Sequence, residues 1–172
     1  MKATESIRLA CITIHKQGAP EGLSLLLPHG NVITVELTSS IEDLSINDST
    51  STSLTARNIL WPVVCFTPDL KIVHNTSSKR CSTDYRFAAC INPTNPRHRF
   101  ALTCDQVTSI QCNPKDLLQL PTIMHTQQSP IMGTFYHDDA LYCVTDADHL
   151  AKFLQQYLDA IPRHEDSPCK LH

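Results

Sequence analysis

Nine histidines and eight cysteines are the residues of this chain best suited to chemistry. Structural zinc sites draw on paired ligands with short spacings such as C-x₂₋₄-C or H-x₃₋₅-H. Cys81 and Cys90 stand nine apart, and Cys104 and Cys112 eight apart, so neither pair has that spacing. His164, Cys169 and His172 could wrap a metal in the tail, although a solvated tail is the commoner outcome for such a segment. A cysteine nucleophile would need a neighbouring base, and Cys143 followed by Asp146-Ala147-Asp148-His149 is the nearest approach to one. Acids at that point are better explained by the start of a helix, whose N-terminus favours negative charge, with His149 on the helix surface and Cys143 in the core. Gly18, Gly22, Gly30 and Gly133 are the four glycines and build no phosphate cradle. G-x-S-x-G and H-E-x-x-H are both missing. Asp138-Asp139 reads as a hairpin turn, and the lone Trp61 as core. No active site assembles from these residues, and no cofactor is implied.

The elements that would position such residues are mostly short strands. Residues 8–15 (RLACITIH), 22–27 (GLSLLL) and 31–37 (NVITVEL) alternate or run apolar between Gly/Pro turns, as in a meander. Residues 38–56 are rich in Ser, Thr, Asn and Asp, which predicts a polar loop with a helical turn near Ile41 and Leu44. Residues 58–66 (NILWPVVCF) read as a buried strand, and 67–84 as a short apolar patch followed by a polar loop. Residues 85–91 and 99–111 read as two strands of a hairpin around the prolines of 92–98. A proline-bounded connection over 113–128 leads to a second hairpin, 129–146, turning at residues 137–139. Leu150, Phe153, Leu154, Tyr157, Leu158 and Ile161 share one face of a helix, capped by Thr145 or Asp146 and stopped by Pro162.

A chain of 172 residues suits one domain of two lobes over residues 1–162, with a flexible tail at 163–172. Hydrophobic residues make up 41% of it, enough for a packed core without staples. The net charge of -3, from 14 basic and 17 acidic residues, carries no footprint for nucleic acid or for an anionic membrane. No secretory signal and no membrane-spanning run is read, so the expectation is a cytoplasmic protein without membrane insertion. Cys11, Cys65, Cys90, Cys104 and Cys143 fall in apolar stretches, where a reduced thiol behaves as a small hydrophobe.

One strand stands out. TARNILWPVV, residues 55–64, places Arg57 before an apolar run that contains Pro62. Proline cannot donate to a ladder and is rare in central strands. An arginine, a proline five residues on and then two valines resemble the Arg-Gly-x-x-x-Pro-Val-(Ile/Val)-x-Leu strand of the CheW chemotaxis adaptor family. Three further stretches resemble that family in the right order. LSLLLPHGNVITVE (23–36) is similar to YALPLSAVREVL, with Pro28 at the proline. FALTCDQVTSI (100–110) is similar to GLLVDEVxxV, with Asp105 and Val107 at the Asp and Val. SPIMGTFYHDDALYCVTDADHL (129–150) is similar to IRGVARLDGRLVLLLDLEKLL, with Gly133 at the glycine. The resemblance covers residues 7–158. Asn58 replaces the family's glycine and Met132 its arginine, marking a divergent member.

The resemblance implies a mostly β fold of two small SH3-like five-stranded barrels sharing a core, with a C-terminal helix. It implies a non-catalytic adaptor that couples the tips of methyl-accepting chemoreceptors to the regulatory domain of a CheA-like sensor histidine kinase. Divergence favours a side pathway such as type IV pilus or twitching motility. Partner contact would fall to Arg57, Asn58 and Met132, and backbone roles to Pro28, Pro62, Asp105 and Gly133. Arg57 could equally be an ordinary surface arginine. Two other readings stand beside the adaptor: an interaction module with unrelated partners, using residues 38–56 for specificity, and a thiol or metal protein.

Overall fold

Short β-branched and apolar runs become strands where the sheets give them cover: residues 25–27, 88–91 and 100–104 are buried on both faces, while residues 32–37 and 106–111 keep an exposed face. The structure, a computed structural model, describes residues 5–15, 19, 21–46, 49–74, 76–124 and 129–161. The first strands are β1 (Ile7–His15), β2 (Gly22–Pro28), β3 (Val32–Leu37), β4 (Ile41–Ile46), β5 (Ser49–Ala56) and β6 (Ile59–Val64). Helix α1 (Ser78–Asp84) precedes β7 (Phe87–Ile91), β8 (Phe100–Cys104), β9 (Gln106–Cys112) and β10 (Leu118–Gln119). The chain continues through β11 (Gly133–His137), β12 (Ala140–Val144) and helix α2 (Ala147–Asp159).

The strands form two six-stranded sheets, ordered β10-β11-β12-β2-β1-β9 and β3-β7-β8-β6-β5-β4. These are two small SH3-like barrels that share a core and carry a C-terminal helix. Each sheet holds one strand more than the expected five: the two-residue β10 in the first and the edge strand β4 in the second. Neighbours are antiparallel except β12 beside β2 and β6 beside β8.

Alternation along single strands explains the shared core. Leu25 and Leu27 of β2 face the large cluster between the sheets, whereas Leu26 faces a smaller one with Leu9, Cys11 and Phe135. Phe100, Leu102 and Cys104 of β8 face the large cluster, and Ala101 packs on the other side beside Trp61 and Cys90. Leu150, Leu154 and Leu158 of α2 complete the large cluster. A strand buried on both faces reads as a continuous apolar run, which is how LSLLL and FALTC appear in the sequence.

Four expectations are corrected. Residues 38–56 are no loop, and no helical turn forms at Ile41 and Leu44. After a 3-10 turn at Thr38–Ser40 the chain makes β4 and β5, paired from Ile41↔Leu54 to Ile46↔Ser49. Threonine is β-branched and suits a pleated surface. Leu54 and Ala56 supply the buried face, while the Thr52 hydroxyl donates to Thr76 O at 2.9 Å. The polar stretch before Tyr85 holds α1, capped by Ser77 Oγ, which accepts from Arg80 N at 3.2 Å. Residues 99–111 are two strands in different sheets, because Asp105 breaks them. Asp105 N donates to Thr13 O at 2.9 Å and its Oδ2 accepts from His15 N at 2.7 Å. Arg57 does not share a strand with Pro62 but stands in the turn before it. Pro162 and the tail with His164, Cys169 and His172 lie outside the described residues.

Helix α2 starts where Asp146 Oδ1 accepts from His149 N at 2.7 Å. Thr145, the other expected cap, is buried and donates its hydroxyl to Pro130 O at 2.6 Å. Asp148 lies in the first turn of the helix and accepts from Thr94 N at 2.7 Å and from the Thr94 hydroxyl at 2.8 Å. Those bonds, the backbone one first, hold its carboxyl below the ordinary carboxylate range. A depressed folded pKa contributes stability above the unfolded value, which is lost as pH falls through the folded one. The melting-temperature gap between wild type and Asp148→Asn is therefore expected to be largest near neutrality. It should close as the pH drops below about 4, the ordinary value for a free aspartate. A gap independent of pH would show that the carboxylate charge contributes nothing there.

Candidate functional site

The β5–β6 hairpin is built around a two-residue turn. Ala56 pairs with Ile59, leaving Arg57 and Asn58 at its tip with φ of 52° and 60°. Positive φ at both central residues is the turn whose twist matches flanking strands, and asparagine tolerates it better than most residues. Asn58 thus does what a glycine would do at that place. Counting from the turn, hydrogen-bonded and non-hydrogen-bonded pairs alternate. The pair Ser53↔Pro62 falls in a non-bonded position, so Pro62 owes β5 no donor. Pairing with β8 begins one residue later, at Val63. Trp61, 2% exposed, braces the turn from below by donating from Nε1 to Ala56 O at 3.2 Å.

Arg57 is exposed, and among the described residues its guanidinium has no carboxylate within ion-pair distance. The turn, braced by Trp61, therefore presents a bidentate donor to solvent.

Met132 lies in the other barrel. Its N–H donates to Val144 O at 2.8 Å, and its half-exposed side chain lines a groove of about 620 Å³. Leu117, Leu118, Ile131, Val144 and Phe153 make the groove apolar, and Lys152 and His149 stand at its α2 side. Leu118 is largely exposed at the groove's margin. Gly133 permits the close approach of β10: a Cβ there would come within 2.5 Å of Leu118 O.

The structure brings Met132 and Gly133 together and leaves Arg57 and Asn58 in the opposite sheet, so the expected contact residues form two separate surfaces. Pro28 ends β2, opposite Leu9, and Asp105 clips β8 to β1. Leu118 and Phe153 give the groove its character and were absent from the sequence-level candidates, because nothing in their own neighbourhood announces that a two-residue strand meets a helix. Asn31 likewise carries no local sequence signal of its role. Its Oδ1 accepts from Ala147 N at 2.9 Å, tying the second barrel to the start of α2.

Among the described residues no group of three or more His, Cys, Asp or Glu side chains is placed to hold a metal ion. His149 Nδ1 sits 2.8 Å from Asp146 Oδ1 at the exposed helix start, and Cys143 is half-buried nearby with its thiol pushed up by burial. Burial also pushes the Cys90 and Cys104 thiols up to about 12, where they pack as hydrophobes. No helix among the described residues is long and apolar enough to cross a membrane.

No family model matches this chain and no curated protein matches it. Among solved structures, the scaffolding protein CheW of Thermoanaerobacter tengcongensis matches with a TM-score of 0.56 at 13% identity. The match spans 82% of this chain and 89% of that one. The chain has the CheW fold. Within the CheW fold the two-barrel layout and terminal helix account for nearly every element described above. The low identity agrees with the departures at Asn58 and Met132, which change side chains on the two exposed surfaces and leave the frame intact.

Proposed function

We propose that this chain is a non-catalytic CheW-like adaptor of a bacterial chemosensory pathway. In this reading it works in the cytoplasm and couples chemoreceptor tips to the regulatory domain of a sensor histidine kinase, in a side pathway such as type IV pilus motility. The observation that carries the reading is the CheW fold, matched over 82% of this chain, with Arg57 exposed at the tip of a braced turn and without a carboxylate partner among the described residues. A scaffold needs fixed surfaces rather than a reacting centre, and the two exposed surfaces lie on different barrels. One can engage a kinase domain while the other engages a receptor.

The test is a pull-down from extract of the native cell with wild type beside Arg57→Glu. Wild type should bring down a histidine kinase or a chemoreceptor. The variant should bind at least about tenfold more weakly, the scale of one charge-assisted hydrogen bond. Its fold should be unchanged, because the side chain is exposed. Capture of neither protein by wild type would remove the adaptor reading. Equal capture by both forms would move the docking surface away from Arg57. The β4–β5 hairpin, in place of the expected loop, supports the alternative of an interaction module with unrelated partners. Exchanging that hairpin while keeping Arg57 would then change the partner captured.

A further inference from the structure

Two thiols meet in the core of the second barrel. Cys65 directly follows β6 and Cys81 lies on α1, with their sulfurs 3.6 Å apart. Both are buried, at 2% and 0% exposure. All seven described cysteines are free, and this is the one pair among them with sulfur–sulfur contact. The pair belongs to the buried cluster that also holds Trp61, Val63, Ala88, Cys90 and Ala101. Hydrogen bonding to Cys65 comes first and burial second in pushing the Cys81 thiol up. The bond from Cys81 leads in lowering that of Cys65, with the Arg80 charge adding to it. The neighbouring charges distinguish the two sulfurs: Arg80 favours a thiolate at Cys65, whereas Asp43 opposes one at Cys81, so the attacking sulfur is assigned to Cys65.

We propose that Cys65 and Cys81 form an oxidisable dithiol, which a hydroperoxide converts to an intrachain disulfide stapling α1 to the end of β6. The Cys65 thiolate attacks the peroxide O–O bond and becomes a sulfenic acid, and the departing oxygen takes up a proton to leave as an alcohol or as water. The Cys81 sulfur then attacks the sulfenic sulfur, the S–S bond forms, and hydroxide leaves with the Cys81 proton as water. Two thiols lose two electrons and one peroxide gains them. The sulfurs must close from their contact distance to about 2.05 Å. The element that moves is small: α1 has seven residues, and it is held at its start by Asp43, which accepts from Ser78 N and Ser78 Oγ at 2.8 Å each. Local opening of α1 admits the oxidant, as low-stability units open without global unfolding.

The test treats the reduced full chain with hydrogen peroxide, alkylates the remaining thiols and maps the peptides. The expected product joins the Cys65 and Cys81 peptides with loss of two hydrogens and leaves six of the eight cysteines alkylated. Dithiothreitol should reverse it. Cys65→Ser and Cys81→Ser should each abolish it, and Asp43→Asn should speed it several-fold by loosening α1. Alkylation of all eight cysteines after treatment would overturn the proposal, as would a cross-link between other cysteines or a rate unmoved by Asp43→Asn.

Discussion

Trp61→Ala is expected to destabilise the protein by about 3–5 kcal/mol, the usual cost of emptying a buried aromatic site. The residue is 2% exposed, is among the largest buried side chains, and packs in the cluster with Leu54, Val63 and Ala101. Its neighbours sit on paired strands of one sheet and cannot close over the vacated space without breaking ladders. The substitution also removes the bond from Nε1 to Ala56 O, which lies beside the Arg57–Asn58 turn. Chemical denaturation should show the midpoint falling with little change in slope. Phe at this position should recover most of the packing and none of the hydrogen bond. If Trp61→Phe folds well yet binds partners as poorly as Arg57→Glu, the bracing of the turn is what matters for docking. A loss under 1 kcal/mol for Trp61→Ala would show that the cluster relaxes around the gap.

Gly133→Ala is the second large effect, and it has an internal control. An added Cβ at Gly133 would lie 2.5 Å from Leu118 O, a backbone atom that cannot swing aside. Gly133 pairs with Val144 on one side and Gln119 on the other, so the strain must move β10. Overpacking of this kind costs about 1–3 kcal/mol, and displacing β10 reshapes the groove beside Met132. At Gly30 the same addition meets nothing within 4 Å. Gly30→Ala should therefore be neutral or stabilising by about 0.4–1 kcal/mol through the unfolded chain. The two variants are compared by thermal melting. A Gly133→Ala protein as stable as Gly30→Ala would mean that β10 is free to shift, and the groove with it.

Some of this architecture is legible in the sequence for physical reasons. The apolar face of α2 repeats often enough to show its period, and Asp146 sits where an acidic cap belongs. Asp138 and Asp139 do form a tight turn, with φ of 47° and 58°. The β5 strand is hidden because STSTSLTA owes its strand state to partners on both sides: β4 pairs with it from Ser49 to Leu54 and β6 from Ala56 to Ser53. Composition carries no trace of such cross-strand support. The short α1 escapes notice because only Cys81 of its residues is buried, too few to set a period. The break at Asp105 is easily passed over because β-formers resume at Val107 and Thr108; the even-numbered apolar pattern ends at Cys104, and the bonds to Thr13 and His15 carry the chain into the other sheet. The Arg57 motif marks one exposed surface. The groove by Met132 depends on β10, β11 and α2 coming together, which no local pattern encodes.

The order of strands has a consequence for synthesis. Strands β3 to β8 lie together in the chain and fill one sheet, while β1, β2 and β9 to β12 make the other. The second barrel is thus an insertion within the first. A growing chain holds every strand of that inner sheet once Cys104 has left the ribosome. Strand β1 must then wait with only β2 beside it until β9 follows and covers its other edge. During that interval the exposed margin of β1, including apolar Leu9 and Ile12, is open to wrong pairings. That margin stays open while the whole inserted barrel, β3 to β8, is made; the direct join at Asp105 brings β9 in as soon as the insertion is complete, so no further segment prolongs the time in which a nascent chain can aggregate.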